Sequence, residues 1–255
     1  MTGRIIAIAN QKGGVGKTTT VVNLAAGLAK LGKQVCVIDL DAQGALTISF
    51  GQDPYTIRPS TYNLLLDDAI TLQSILHEYN SNLSLAPANA EIIAAEYRLL
   101  SASDRALRLR KSIERSNHSY DFILIDTPPS LSLLTVNGLV AASELLIPVA
   151  ANYLSMRGVR SLLDSVWLIR EKINPDLKLL GVLPTLVQSN TSHAMTAIGE
   201  MQTVFKQKVF RSFIPFDEVA AVAPAMRQSA IDYNPNSAVA VAYQHLAKEV
   251  SNAYR

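Results

Sequence analysis

The sequence predicts an α/β fold: a doubly wound, mostly parallel sheet flanked by helices. Three observations carry that expectation. Short continuous apolar runs alternate with longer segments of helical period, the first run leads through a glycine-rich loop into a helix, and the composition can fill one large core. The chain has 255 residues, 49% of them apolar and 17% charged, against about 25% charged in an average soluble protein. That balance argues against disorder and supports a sizeable core. At about 150 residues per domain the length allows one or two. No linker, internal repeat or low-complexity tract interrupts it, so a single domain over residues 1–255 is expected.

In chain order, the apolar runs Ile5 to Ala9, Val35 to Ile38, Leu83 to Ala86, Phe122 to Ile125, Leu145 to Val149 and Leu179 to Leu183 read as strands. Their unbroken apolar character means that both faces are covered, as in a parallel sheet. The first helix follows the glycines, with Val21, Leu24, Ala25, Leu28 and Leu31 at the 3.6-residue period and Gly32 at its stop. Another helix is expected from about Gly158 to Ile173. Val159, Leu162, Leu163, Val166 and Ile173 form its stripe, Trp167 borders that stripe as core, and Asn174-Pro175 ends it. The segment from about Ser237 to Tyr254 reads as a last helix docked on the body.

Charge and special residues narrow the function. Lys plus Arg is 23 and Asp plus Glu is 21, for a formal net charge of +2, so nucleic-acid binding requires a local patch. The single cysteine, Cys36, excludes an internal disulfide framework and multi-thiolate metal sites, and fits a reducing, cytoplasmic setting. His77, His118, His193 and His245 are scattered without ligand spacing and read as surface or polar-contact residues. The first apolar run is far shorter than the ~20 residues a bilayer requires, and no export segment is visible.

The strongest signal is Asn10-Gln11-Lys12-Gly13-Gly14-Val15-Gly16-Lys17-Thr18, set between a strand and a helix. Glycines let successive N–H groups turn toward phosphate oxygens, and the helix N-terminus adds a favourable dipole. Gly13, Gly14, Val15, Gly16, Lys17, Thr18 and Thr19 are therefore the expected cradle. In such a cradle Lys17 neutralises the β- and γ-oxygens and Thr18 holds Mg²⁺ through its hydroxyl. Gln11 stands where the strict pattern GxxxxGK[ST] has its first glycine, and Lys12 adds a second lysine. Two further stretches end strands in aspartates: Val37-Ile38-Asp39-Leu40-Asp41-Ala42-Gln43-Gly44, and Phe122 to Asp126 followed by Thr127-Pro128-Pro129-Ser130. Carboxylates at the carboxyl ends of parallel strands point into the crevice where open α/β sheets bind ligands.

Together these stretches resemble the deviant Walker family of P-loop ATPases, whose pattern KGGxGKT includes a signature lysine. The ParA and Soj partition ATPases, MinD and the nitrogenase iron proteins belong to it. The resemblance covers essentially the whole chain and is strongest to the ParA/Soj branch. It implies that Lys12 reaches across a dimer to the partner's nucleotide, Asp41 orients the attacking water, Asp39 supports the Mg²⁺ shell, and Asp126 acts as the Walker B aspartate. It also implies a place near the adenine for Pro215 and Asp217, since the stretch Ile214 to Val219 is similar to the IPED of MinD.

Two departures bear on partners. The arginines that ParA/Soj proteins carry after strand six and in an IPRNVR stretch are absent, replaced by Gln188-Ser189-Asn190-Thr191 and by Phe216-Asp217-Glu218-Val219. Lys206, Lys208, Arg211 and Arg227 stand close by and are the expected DNA contacts, on adjoining faces. A second basic run, Arg98, Arg105, Arg108, Arg110, Lys111 and Arg115 against Asp104 and Glu114, reads as a charged surface on one helix before the Phe122 strand. Cys36 cannot supply the cluster ligands of the iron proteins. The stretch Glu249 to Arg255 lacks the basic amphipathic character of MinD's membrane helix.

The resemblance thus implies an Mg-dependent, partner-stimulated ATPase that forms an ATP-state homodimer, binds nucleoid DNA without sequence preference and positions a cargo through a ParB-like or adaptor protein. That cargo is a plasmid or chromosome origin, or a protein body such as a carboxysome. It implies a cytoplasmic, nucleoid-associated location and no membrane partner. A MinD-like, membrane-associated regulator of division-site placement is the alternative. A metabolic P-loop ligase or amidase is a third, disfavoured by Lys12.

Overall fold

The computed structural model describes residues 3–116, 119–152, 155–188 and 191–253, and for residues 155–158 and 192 the backbone alone. His118, Ser189, Asn190 and Tyr254 lie outside the described residues. Seven strands form one sheet: β1 (Arg4–Ile8), β2 (Val35–Asp39), β3 (His77–Asn80), β4 (Leu83–Ala86), β5 (Phe122–Asp126), β6 (Glu144–Ala150) and β7 (Lys178–Thr185). Their order is β3-β4-β2-β5-β1-β6-β7. The six apolar runs are all strands, and every adjacent pair among them is parallel. β3 has no apolar run to announce it. It is an antiparallel edge partner of β4 whose residues His77-Glu78-Tyr79-Asn80 alternate between half-buried and exposed.

The side-chain period of two divides β1 between two cores. Ile6 and Ile8 pack with Leu24 and Leu28 of the first helix, α1 (Lys17–Lys30), and with Tyr243 and Leu246 of the helix Ala238–Asn252. Ala7 and Ala9 face the other way, toward Leu145, Ile147, Val159 and Leu162. β2 does the same, with Val35 and Val37 on the α1 side and Cys36 and Ile38 on the opposite one. Leu24 and Leu28 are fully buried, and each contributes about 2–3 kcal/mol through removal of its side chain from water. This face locks α1, and with it the glycine loop, against the sheet.

Two expectations fail locally for identifiable reasons. Trp167 is 62% exposed, because the buried stripe of the helix Ser155–Lys172 is Val159, Leu162, Val166 and Ile169, and Trp167 lies about 100° further round. Ile173 falls after the last turn and is also exposed, while Asn174 ends the helix by donating Nδ2 to the carbonyls of Leu139, Val140 and Ala142. The second basic run is split, with Arg98 on the helix Ile92–Leu99, Arg105 in the turns that follow and the remaining cations on the helix Arg108–Arg115. Ser101, Ser103 and Asp104 fall in the turns between them. Most of its charges are paired: Arg108 and Lys111 with Asp104, Arg110 with Glu114, and Arg108 and Arg115 with Asp68. Among the described residues no helix is long and apolar enough to cross a membrane.

Candidate active site

β1 lies inside the sheet between β5 and β6, so the loop leaving its carboxyl end emerges in the crevice at the strand ends. Asp39 and Asp126 end β2 and β5 as register partners, and Asp126 is also level with Ile8. Strand register alone therefore brings both carboxylates beside the glycine loop.

The loop is held at both ends. Asn10 donates Nδ2 to the Pro148 carbonyl at 2.7 Å and accepts the Lys12 amide on Oδ1 at 3.0 Å. Thr185, ending β7, donates Oγ1 to the Val15 carbonyl at 2.8 Å. Gly14 and Gly16 have φ of 69° and 82°. A Cβ on Gly14 would meet nothing within 4 Å, so glycine is needed there for backbone direction rather than for room. Gly16 then leads into α1 with no side-chain cap, which leaves the first amides of the helix for an anion.

The charges inside the site are unbalanced. Lys17 is buried, with Nζ 3.2 Å from the Lys12 carbonyl. Burial lowers the pKa of its amine, against the opposing pull of Asp126 and Asp41. Thr18 donates Oγ1 to Asp126 Oδ2 at 2.7 Å, while the buried Asp126 Oδ1 has no hydrogen-bond partner. Burial, together with the charges of Asp39 and Asp41, raises the Asp126 carboxyl well above the carboxylate range, although Thr18 and Lys17 pull the other way. Asp39 accepts Asp41 N on Oδ1 at 2.9 Å, and on Oδ2 Thr47 N at 2.9 Å and Thr47 Oγ1 at 2.7 Å. Burial nevertheless pushes its pKa up to about 6. Asp41 is half-buried, with Oδ1 accepting the Gln43 amide at 3.0 Å.

Three carboxylates thus share the site with one buried amine. An added cation beside Thr18 and Asp126 would satisfy Asp126 Oδ1 and rebalance the charge. Among the described residues no group of three or more His, Cys, Asp or Glu could hold a metal. That fits Mg²⁺, which binds through few protein ligands together with phosphate oxygens and water.

On the far side of the loop a cavity of about 300 Å³ is lined by Gly14, Gly16, Thr19, Thr185, Pro215 and Asp217, among others. The loop thus brings Pro215 and Asp217 beside the phosphate cradle. Asp217 fixes that segment, accepting Val219 N on Oδ1 at 2.9 Å and Val239 N on Oδ2 at 3.2 Å. Lys12 is exposed, its Nζ 3.3 Å from Asn152 Oδ1.

The four expected DNA contacts do not form one patch. Lys206 and Lys208 lie on a 3₁₀ turn and Arg211 follows, on a segment joined to β7 by the Phe210 N to Val182 O bond. Arg227 is beside Gly51, and its carbonyl accepts from Tyr79 Oη of β3. β7 and β3 are opposite edges of the sheet, separated by roughly 25–30 Å at ~4.8 Å per strand. Arg227 thus lies toward the β3 edge, and Lys206, Lys208 and Arg211 lie beside β7. Sequence reasoning also missed Asn10, Thr47 and Thr185, which position the loop and the carboxylates. Thr185 stood two residues beyond an apolar run at a strand end, and Asn10 stood inside the loop motif. Thr47 gave no such signal.

A glycine loop between an inner parallel strand and a bare helix N-terminus, with a buried lysine and a threonine bonded to a strand-end aspartate, defines a P-loop phosphate-binding protein. A family model for an AAA domain matches residues 3–179. Among curated proteins, the chain is 40% identical over 249 residues to the sporulation initiation inhibitor protein Soj of Bacillus subtilis, covering 98% of each. It is 39% identical over 247 residues to the chromosome-partitioning ATPase Soj of Thermus thermophilus, covering 97% of this chain and 95% of that one. Among solved structures, cobyrinic acid a,c-diamide synthase from Mycobacterium smegmatis with bound ATP analog and magnesium superposes with a TM-score of 0.86 at 35% identity, covering 98% of this chain and 95% of that one. The chain belongs to the ParA/Soj family of P-loop ATPases.

Proposed function

We propose that this chain is a partition-type ATPase that cycles between a free form and an ATP-bound sandwich dimer and uses the cycle to position a cargo. ATP with Mg²⁺ is its ligand, and hydrolysis to ADP and phosphate is its reaction. The observation that carries the reading is the pair formed by Thr18 and Asp126, with one carboxylate oxygen buried and unpartnered beside a lysine-bearing glycine loop. The amides of Gly13, Gly14, Val15, Gly16, Lys17 and Thr18 bind the phosphates, and Lys17 neutralises the β- and γ-oxygens. Thr18 and Asp126 would hold Mg²⁺, the latter through water, and the bound ion supplies neutralisation of charge on the phosphate oxygens. Asp39, whose oxygens already accept three hydrogen bonds, supports that shell by fixing the segment that carries Asp41. Asp41 orients the attacking water, so catalysis is largely positioning. Thr19, Pro215 and Asp217 flank the base.

Lys12 completes the site of a second copy. Its amine is exposed and lies outside its own cradle, as a residue acting in trans requires. In this reading residues 1–255 act as one domain in the cytoplasm. The dimer binds nucleoid DNA without sequence preference through Lys206, Lys208 and Arg211, and a ParB-like or cargo-adaptor protein stimulates turnover. The test is a pair of variants: Lys17→Ala should not bind ATP, whereas Asp41→Ala should bind it, accumulate as dimer and hydrolyse it at least a hundredfold more slowly. Retained ATP affinity in the first, or a wild-type rate in the second, would refute the assignment. Similarity to the diamide synthase favours one other reading, ATP-driven amide formation on a small acid. Turnover that depends on such an acceptor would establish it instead.

A further inference from the structure

A second cavity, of about 460 Å³, shares Pro215 with the nucleotide-side cavity. Between them runs the helix Ala238–Asn252, which gives Val241 and Ala242 to the second cavity and Tyr243 to the first. The floor of the second cavity is apolar, with Phe213 and Val241 left 44% and 38% exposed. Its rim is basic. Arg211 and His245 line it, and the exposed Lys248 lies one turn beyond His245. The neighbouring acid, Glu249, is engaged with the groove's own wall. Its carboxylate accepts Arg211 N at 2.9 Å, Ser212 N at 3.1 Å and Ser212 Oγ at 2.8 Å.

Each half of this groove asks for a different chemistry, and only some ligands supply both. Duplex DNA presents phosphates to Arg211 but offers nothing to an apolar floor. A basic segment is repelled at the rim. A peptide carrying carboxylates around an aliphatic or aromatic side chain satisfies the cations and covers Phe213 and Val241 together, as interface hot spots do. We propose that this groove docks an acidic, apolar-centred segment of a partner protein. The partner's apolar side chain seats between Phe213 and Val241, and its carboxylates face His245 and Arg211, where the segment and duplex DNA exclude one another. Because Pro215 and the helix Ala238–Asn252 belong to both cavities, docking and nucleotide binding are coupled, and the coupling is reciprocal. The coupling rests on the ATPase reading above; the docking does not.

The test pans a display library of random dodecapeptides on the full chain without nucleotide. The most enriched peptide is then synthesised with fluorescein and titrated by anisotropy beside a thirty-base-pair duplex. Enriched sequences should combine Asp or Glu with Phe, Leu or Trp, and Val241→Asp should weaken the peptide at least tenfold. Its affinity should also change severalfold when Mg²⁺ and ATP are added. His245→Glu, at an exposed position on the same rim, is the second variant, and thermal melting shows that each variant is folded. Enrichment of basic or uncharged peptides would overturn the proposal, as would binding indifferent to both variants. Loss of duplex binding in Val241→Asp with no acidic peptide enriched would make the groove part of a nucleic-acid face and overturn it too. A Val241-dependent peptide indifferent to nucleotide would remove the coupling alone. Absence of ATP binding by the wild type would refute the ATPase reading and leave the docking standing.

Discussion

Asp126→Asn should make the nucleotide-free chain more stable at high pH while destroying its response to Mg²⁺ and ATP. In the free chain Asp39 and Asp126 are buried and repel one another when charged, so ionising them weakens the folded state. For Asp39 the rise from 3.8 to about 6 is roughly two units, or on the order of 3 kcal/mol at 1.36 kcal/mol per unit. The folded chain holds this proton more tightly than the unfolded one. Its contribution is therefore fully present below pH 3.8 and is lost as pH rises through about 6. Asp126, raised well above its ordinary value by burial and by Asp39, extends the same decline to higher pH. An asparagine there can still accept the Thr18 hydroxyl but cannot ionise, so the variant should decline less. Urea unfolding at pH 5, 6, 7 and 8 reads the effect: the stability of Asp126→Asn relative to wild type should grow with each step. Adding Mg²⁺ and ATP at a hundred times the dissociation constant should stabilise wild type by about 2.7 kcal/mol and the variant by far less. Parallel stability curves for the two proteins, or equal stabilisation by Mg²⁺ and ATP, would refute the argument.

Lys12→Ala removes an exposed side chain whose amine contacts Asn152, so stability should change by less than about 0.5 kcal/mol while ATP-dependent dimerisation and turnover are lost. Sedimentation with a non-hydrolysable ATP analogue checks this, and a normal dimer would count against action in trans. Thr185→Val strips the buried Val15 carbonyl of its hydroxyl partner. It should lower stability by about 1–3 kcal/mol and weaken ATP binding; an unchanged melting temperature would sink that assignment. Charge reversal at Lys206 and Lys208 should release duplex DNA from the Asp41→Ala dimer and flatten the dependence of binding on salt. Arg227→Glu, at the opposite sheet edge, should do less. Anisotropy at rising salt compares them, and equal losses would place Arg227 on the same DNA face after all.

What the sequence determined by itself was whatever chemistry encodes locally. Six strands were legible because burial on both faces demands unbroken apolar runs. The cradle from Gly13 to Thr18 was legible because left-handed backbone needs glycine and phosphate needs a nearby amine, and Asp39, Asp41 and Asp126 because each ends or follows such a run. β3 was not legible, since an edge strand paired on one side can be polar throughout. Trp167 misled because a border position on a helix is settled by which neighbour covers it, and this one is left 62% exposed.

Only the tertiary structure could decide the rest, because it depends on residues far apart in sequence. Register places Asp39 opposite Asp126 and level with the loop. Thr185 reaches back 170 residues to hold Val15, and Thr47 fixes Asp39 from the next helix, Ala45–Ser49. The basic residues of the last third separate for the same reason. A chain that crosses the sheet between Arg211 and Arg227 puts them at opposite edges. Local sequence sets which groups can bind phosphate or carry charge, but strand order sets which of them meet.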